Sequence, residues 1–114
     1  MIVNTSPWGG TRALTAWRFL RAWQEAGQGG ATVFFRGEGV YNALDSAMAD
    51  AGTEALAGAW TRLAENSDTH LLLCSAAAGR RLPADGAGRA AAFREAGLLE
   101  ATECALSADR VVTF

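Results

Sequence analysis

Cys74 is the residue of this chain whose position best fits chemistry. It ends the apolar run His70-Leu71-Leu72-Leu73-Cys74, and the small residues Ser75-Ala76-Ala77-Ala78-Gly79 follow at once. The run is typical of a buried strand that brings a thiol to the carboxyl edge of a sheet, where open α/β sheets place their binding and catalytic sites. Cysteine is also a common small core residue, and composition alone favours that role. The strand-end position favours a reactive thiol instead.

A reactive thiol needs a group that stabilises its thiolate, since an ordinary cysteine is mainly a neutral thiol at neutral pH. Backbone N–H groups after the strand, or the amino end of a following helix, could supply the main effect. Arg80 and Arg81 could add full positive charge if the chain folds back towards the sulfur. Their ordinary alternative is a solvated or ion-paired surface arginine.

A long connection from about Gly37 to Gly52 shows only a weak helical pattern. Loops of this length are uncommon inside compact domains and are usually functional. We therefore expect the connection to lie near Cys74, with Glu38, Tyr41 and Asn42 shaping the cleft around the thiol together with Ser75. Ordinary turn chemistry is the alternative for these residues.

The remaining nucleophiles and ligands fit structural roles. Cys104 lies within a helical pattern and is expected to pack. His70 opens the strand at the end opposite Cys74, too far away for a cysteine–histidine dyad within the strand. Two cysteines and one histidine are too few for a structural zinc site, and no disulfide framework is expected. No metal or cofactor is predicted.

Composition restricts the class of protein. The chain has 114 residues, half of them apolar and 19% charged, which predicts one folded domain over residues 1–114. Its net charge is -2, and its ten basic residues are all arginines that are scattered along the chain. Direct nucleic-acid binding is therefore not expected. No secretory signal or membrane-length apolar run is visible, so we predict a cytoplasmic location.

Strand and helix patterns alternate along the chain. This alternation predicts right-handed crossovers and a single-domain, three-layer α/β/α fold with a mainly parallel sheet of four to five strands. Thr53 is a candidate helix cap, and the stretch from Leu82 to Ala92 is a short helix or an ordered loop. The expected strands are residues 1–4, 31–36, 70–74 and 110–114, and the expected helices are 11–26, about 56–66 and 98–106.

Two features of the first loop have their own interpretations. Trp8 stands alone in a segment dense in turn formers and is a candidate interface residue. The turn Gly9-Gly10-Thr11 precedes a helix and could bind phosphate, although it lacks the full nucleotide-binding fingerprints. A simple helix start is the alternative.

Several segments together carry a resemblance to a known family. They are Ser6-Pro7-Trp8-Gly9-Gly10-Thr11, residues 33–42, Trp60, residues 72–77 with Arg80-Arg81, and residues 108–114. Over nearly the whole chain they resemble the DsrE/TusD family of sulfur-relay proteins, and the likeness extends to the spacing from Tyr41 through Trp60 to Cys74. One departure is a short segment between Arg81 and Phe93, where Leu82 replaces a usual glycine.

The resemblance implies a sulfurtransferase in which Cys74 accepts a sulfane sulfur as a persulfide and passes it to a partner's thiol. It implies assembly with DsrF/TusC-like and DsrH/TusB-like subunits, or self-association, and a DsrC/TusE-like sulfur acceptor. The pathway would end in tRNA uridine thiolation or in dissimilatory sulfur oxidation. A non-catalytic assembly subunit and a phosphate-binding module remain as alternatives.

Overall fold

The computed structural model describes residues 1–45 and 55–114 and builds them around a parallel four-stranded sheet. The strands expected over 1–4, 31–36 and 70–74 and the three expected helices are found close to their expected bounds. The elements are β1 (Ile2–Val3), α1 (Arg12–Glu25), β2 (Ala31–Phe35), a 3₁₀ helix (Gly37–Ala43), α2 (Leu56–Glu65), β3 (Thr69–Cys74), α3 (Ser75–Arg81), β4 (Phe93–Ala96) and α4 (Leu98–Ser107).

The strand order explains where the helices lie. The strands follow one another across the sheet as β1-β2-β3-β4, all parallel. Successive right-handed crossovers in one direction place their helices on one face, whereas the return from β4 towards β1 must cross the other face. Accordingly α1, α2 and α3 share one core, and α4 packs on the opposite side. The predicted three-layer α/β/α fold is confirmed.

Alternation along the strands divides the buried residues between the two faces. The larger core contains Val33 and Phe35 of β2 and buries Trp60 of α2 completely, with the Trp60 and Phe35 rings edge to face at 5.2 Å. The smaller cluster, on the α4 side, consists of Phe34, Leu72 and Ala96. Since α4 is the one described helix that covers this second face, the described residues bury the sheet more deeply on one side than on the other.

The structure corrects the predicted strands at two places in the second half of the chain. β4 was not predicted, because Phe93-Arg94-Glu95-Ala96 is short and carries two charged residues at its centre, as edge strands often do. The segment 110–114 was predicted to be a strand but forms only a bridge between Thr113 and Ile2, with backbone bonds on both sides of it. Its pairing extends the sheet beyond β1 without forming a regular strand.

The connection after β2 also differs from its prediction. Residues 37–43 form a 3₁₀ helix rather than an open loop, and the small residues after Cys74 form α3 directly. The remainder of the predicted connection, from 46 to 52, and the predicted cap Thr53 lie outside the described residues. No helix in the described ranges is long and apolar enough to cross a membrane.

α4 is found where it was predicted, but its larger side chains face outward. Ala101 and Cys104 contact the Phe34 cluster, whereas Leu98, Leu99 and Leu106 are 70%, 74% and 82% exposed. A leucine stripe of this kind, on a helix that fully buries none of its residues, is typical of a surface that meets another protein.

An ion pair links the start of α4 to β4 and makes the stability of the fold depend on pH. Arg94 donates to Glu100, with Nη1 and Oε2 3.3 Å apart, and this hydrogen bond lowers the pKa of the Glu100 carboxyl below its usual 4.5. The pair therefore stabilises the fold above about pH 4.5, and this contribution is lost as pH falls through the lowered pKa.

We expect Arg94→Gln to move the Glu100 pKa back towards 4.5, measured by carboxyl NMR titration. Arg21→Gln is the matched control, because it removes another exposed arginine–glutamate pair and should leave the Glu100 titration unchanged. An unaltered Glu100 titration in Arg94→Gln would contradict the assigned cause.

Candidate functional site

Cys74 lies at the carboxyl edge of the sheet, as the last residue of β3 and immediately before α3. Its neighbour on β4 is Ala96, whose methyl group leaves space on that side. The cysteine is a free thiol and partly exposed, and the next two residues, Ser75 and Ala76, are exposed. The thiol is therefore not sealed within the core, and small residues border its approach.

α3 changes the expected geometry of the two arginines. Arg80 and Arg81 occupy the last turn of this helix and are exposed. At a rise of about 1.5 Å per residue, Arg80 lies roughly 9 Å along the helix from Cys74. The chain after Cys74 therefore runs away from the sulfur as a helix and does not fold these two residues back over it.

Asn42 joins three segments at this edge of the sheet. Its Nδ2 donates to the backbone oxygens of Thr5 and Gly39, at 2.9 and 2.8 Å, and its Oδ1 accepts from Trp60 Nε1 at 3.4 Å. The side chain is almost completely buried. Asn42 therefore holds the β1–α1 loop against the 3₁₀ helix and α2 from a buried position, and its part in shaping a cleft around Cys74 stays a prediction.

Tyr41 and Glu38 occupy the outer side of the same 3₁₀ helix. The ring of Tyr41 packs against Trp8, with centroids 5.1 Å apart, and both residues are partly buried. Glu38 is exposed in the first turn. Trp8, predicted as an isolated loop residue, is thus half covered by Tyr41 and forms an aromatic pair at the rim of the sheet.

The 3₁₀ helix is also tied to the segment that follows α3. Ala90 donates to the Ala43 oxygen at 2.9 Å, and Asp45 donates to the Gly88 oxygen at 2.7 Å. These bonds hold the short segment after Arg81 against the end of the 3₁₀ helix, which itself packs on α3. The loops around the Cys74 edge therefore form one connected frame.

Arg36 is a residue of this edge that sequence reasoning missed. It follows β2 directly and is exposed. The β2–β3 pairing ends with Phe35 beside Leu73, so Arg36 and Cys74 occupy the next positions along the two strands. A comparison of where the two predicted strands end could have found this pair.

The other sequence candidates lie away from Cys74 or serve as packing. Cys104 is partly buried against the Phe34 cluster. His70 lies four residues before Cys74 and is exposed beside Asp68, with Nε2 and Oδ1 3.6 Å apart. No group of three His, Cys, Asp or Glu residues in the described part of the chain could hold a metal ion.

A separate cavity lies near the first loop. It has a volume of about 340 Å³ and is lined by Asn4, Thr5, Arg12, Thr113 and Phe114. The proposed phosphate-binding turn, Gly9-Gly10-Thr11, does not line it, and Thr11 makes no side-chain cap hydrogen bond to α1. The cavity is therefore not evidence for that turn as a phosphate site.

Comparison with known proteins gives matches over the full length. The family model described as the DsrE/DsrF-like family matches residues 1–114. The sulfurtransferase TusD of Sodalis glossinidius is 35% identical, with the alignment covering 100% of this chain and 95% of the relative. The sulfurtransferase TusD of Cronobacter sakazakii is 33% identical, covering 100% and 97%.

A solved structure shows the same fold. The crystal structure of the ychN protein from E. coli superposes with a TM-score of 0.78 at 20% identity, covering 99% of this chain and 96% of that one. At this identity the likeness concerns the arrangement of strands and helices alone. It agrees with the four parallel strands and the helices on both faces described above.

Proposed function

This chain belongs to the DsrE/DsrF-like family, and from that membership we propose that it carries sulfur as a persulfide on Cys74. Its relatives are named sulfurtransferases, which supports a role in sulfur relay. The single observation that carries the proposal is the partly exposed thiol at the carboxyl end of β3, bordered by small, exposed residues.

The proposed transfer needs no metal or organic cofactor. The Cys74 thiolate attacks the outer sulfur of a donor persulfide, and a new sulfur–sulfur bond forms at Cys74. The donor's own sulfur–sulfur bond breaks, and its electron pair leaves with the donor thiolate, which takes up a proton. Attack by an acceptor thiolate on the outer sulfur of the Cys74 persulfide then returns Cys74 to its thiolate form.

The proposed partners follow from the family. They are DsrF/TusC-like and DsrH/TusB-like subunits, or further copies of this chain, and a DsrC/TusE-like acceptor. tRNA uridine thiolation and dissimilatory sulfur oxidation are the two proposed destinations of the sulfur. We also propose a cytoplasmic location, where thiols are kept reduced.

Loading of the wild-type protein tests the proposal. Incubation with a persulfide donor should add one sulfur atom to the intact mass, and a reductant should remove it. Arginines between the two cysteines allow tryptic peptides to separate them, and the added sulfur should be found on the peptide that contains Cys74. Prior alkylation with iodoacetamide should block the gain. Absence of the gain, or its location on the Cys104 peptide, would contradict the proposal.

The exposed leucines of α4 favour a second candidate, a non-catalytic subunit of a DsrEFH- or TusBCD-like complex. Leu98, Leu99 and Leu106 offer an apolar surface for a partner whether or not Cys74 reacts. The two candidates predict different reactivity for the Cys74 thiol. Fast alkylation of Cys74 in the native protein near neutral pH supports the carrier, and slow alkylation supports the assembly subunit.

A further inference from the structure

Arg36 and Cys74 are neighbours on adjacent strands. The pairing of β2 with β3 runs in register up to Phe35 and Leu73, and the backbone of Arg36 stays extended, with φ -132° and ψ 164°. Arg36 also continues the ladder on its other side, where its N–H donates to the Val3 oxygen at 3.0 Å. Adjacent strands are about 4.8 Å apart. The two residues therefore stand side by side at the edge of the sheet.

The two side chains leave the sheet on the same face. Phe34 and Leu72, two positions earlier on their strands, both belong to the cluster on the α4 side. Because side chains alternate along a strand, Arg36 and Cys74 start on that side as well. The third residue in this row is Ala96, which pairs with Cys74 and carries no charge. Arg36 is thus the one charged residue of the edge row.

Within the described residues, the charge of Arg36 has no carboxylate partner. No carboxylate among residues 1–45 and 55–114 forms an ion pair with it, whereas Arg89 pairs with Glu95 and Arg94 pairs with Glu100. Glu38, the nearest carboxylate along the chain, is exposed. The charged or titratable side chains on the elements packed around the edge are Arg36, Glu38, Tyr41, Arg80, Arg81, Arg94, Glu95, Glu100, Glu103 and Cys104.

We propose that Arg36 is a positioning residue that stabilises the negative charge on the Cys74 sulfur, first as the thiolate and then as the persulfide anion. A guanidinium stays charged at every relevant pH and interacts with a neighbouring anion from a solvated position. It favours the ionised sulfur before attack on the donor and holds the loaded anion until an acceptor arrives. The inference rests on the proposed function, because it takes Cys74 as the sulfur carrier.

The test is the pH dependence of Cys74 alkylation by iodoacetamide in Arg36→Gln. Since the guanidinium lies at a solvated edge, screening keeps the effect modest, and we expect alkylation roughly threefold to tenfold slower at neutral pH. The midpoint of the pH–rate profile should move upward while the rate at high pH stays that of the wild type. A change that merely disturbed the structure would alter the high-pH rate instead.

Three comparisons complete the design. Arg36→Lys keeps the positive charge and should restore the wild-type midpoint. Salt at about 1 M screens the charge and should reduce the difference in midpoint between Arg36→Gln and the wild type. Arg18→Gln should match the wild type, because Arg18 is an exposed arginine of α1. An unmoved midpoint in Arg36→Gln, or an equal movement in Arg80→Gln with Arg81→Gln, would overturn the assignment to Arg36. Sulfur loading of the wild type, measured separately, tells a failure of the carrier proposal from a failure of this one.

Discussion

Cys74→Ser is expected to take up no sulfur from a persulfide donor, while remaining folded. A serine hydroxyl is nearly isosteric with the thiol but does not form a persulfide, so loading should fall to the background of the assay. Because Cys74 is partly exposed and at the end of β3, the substitution should change the free energy of unfolding little. Intact mass spectrometry after incubation with the donor gives the loading, and circular dichroism gives the fold.

Cys104→Ser is the matched control for this experiment. Both cysteines are free and partly buried, and both contact the Phe34 cluster, so nonspecific sulfuration should affect them alike. We expect the Cys104 variant to gain one sulfur atom as the wild type does. Equal loading of the Cys74 variant would remove the basis of the proposed function, whatever the behaviour of the control.

Gly39→Ala is expected to destabilise the protein by roughly 1–3 kcal/mol through overpacking. A Cβ atom built on Gly39 would lie 2.1 Å from the Val3 backbone oxygen, and neither the buried 3₁₀ helix nor β1 can easily move. Backbone must shift, and the shift strains the clamp that Asn42 makes between Gly39 and Thr5. Urea denaturation should show a lower midpoint with an unchanged slope.

Gly79→Ala provides the opposite expectation at a second glycine. Gly79 lies inside α3, is exposed, and has nothing within 4 Å of a Cβ atom. Alanine should therefore raise the helix propensity and stabilise the protein by about 0.5–1 kcal/mol. A Gly39 variant as stable as the wild type would show that the close approach to Val3 relaxes freely.

The strands and helices with strong periodicity were predictable, and the local geometry of the site was not. The leucines of β3 and the stripe of α2 place Cys74 on a sheet edge from sequence alone. β4 was not predicted because the adjacent charged residues Arg94 and Glu95 interrupt the alternation of apolar and polar residues that marks a strand. Whether small residues such as Ser75 and Ala76 form a turn or a helix depends on packing against the 3₁₀ helix, which local propensity does not contain.

The site residues divide in the same way. Cys74 was identifiable because its position follows from one strand. Arg36 was not identifiable, because its place beside Cys74 depends on the register between β2 and β3. The sequence of either strand alone does not show how the two strands align. Asn42 was expected to help shape the cleft, but its buried bonds to backbone oxygens could not be foreseen, because a polar residue in a connecting segment gives no sign of whether its partners are water or backbone.

The seating of residues 112–114 along β1 has a consequence for how copies of this protein could associate. The backbone groups of Ile2 and Asn4 that an incoming strand would need are already bonded to Val112 and Phe114. At the opposite margin, β4 offers Arg94 and Glu95, whose charges oppose the approach of a further strand. A strand of another copy therefore cannot pair with β1 directly, and the charges of β4 discourage pairing at the opposite margin, which favours the broad surfaces of the molecule for association.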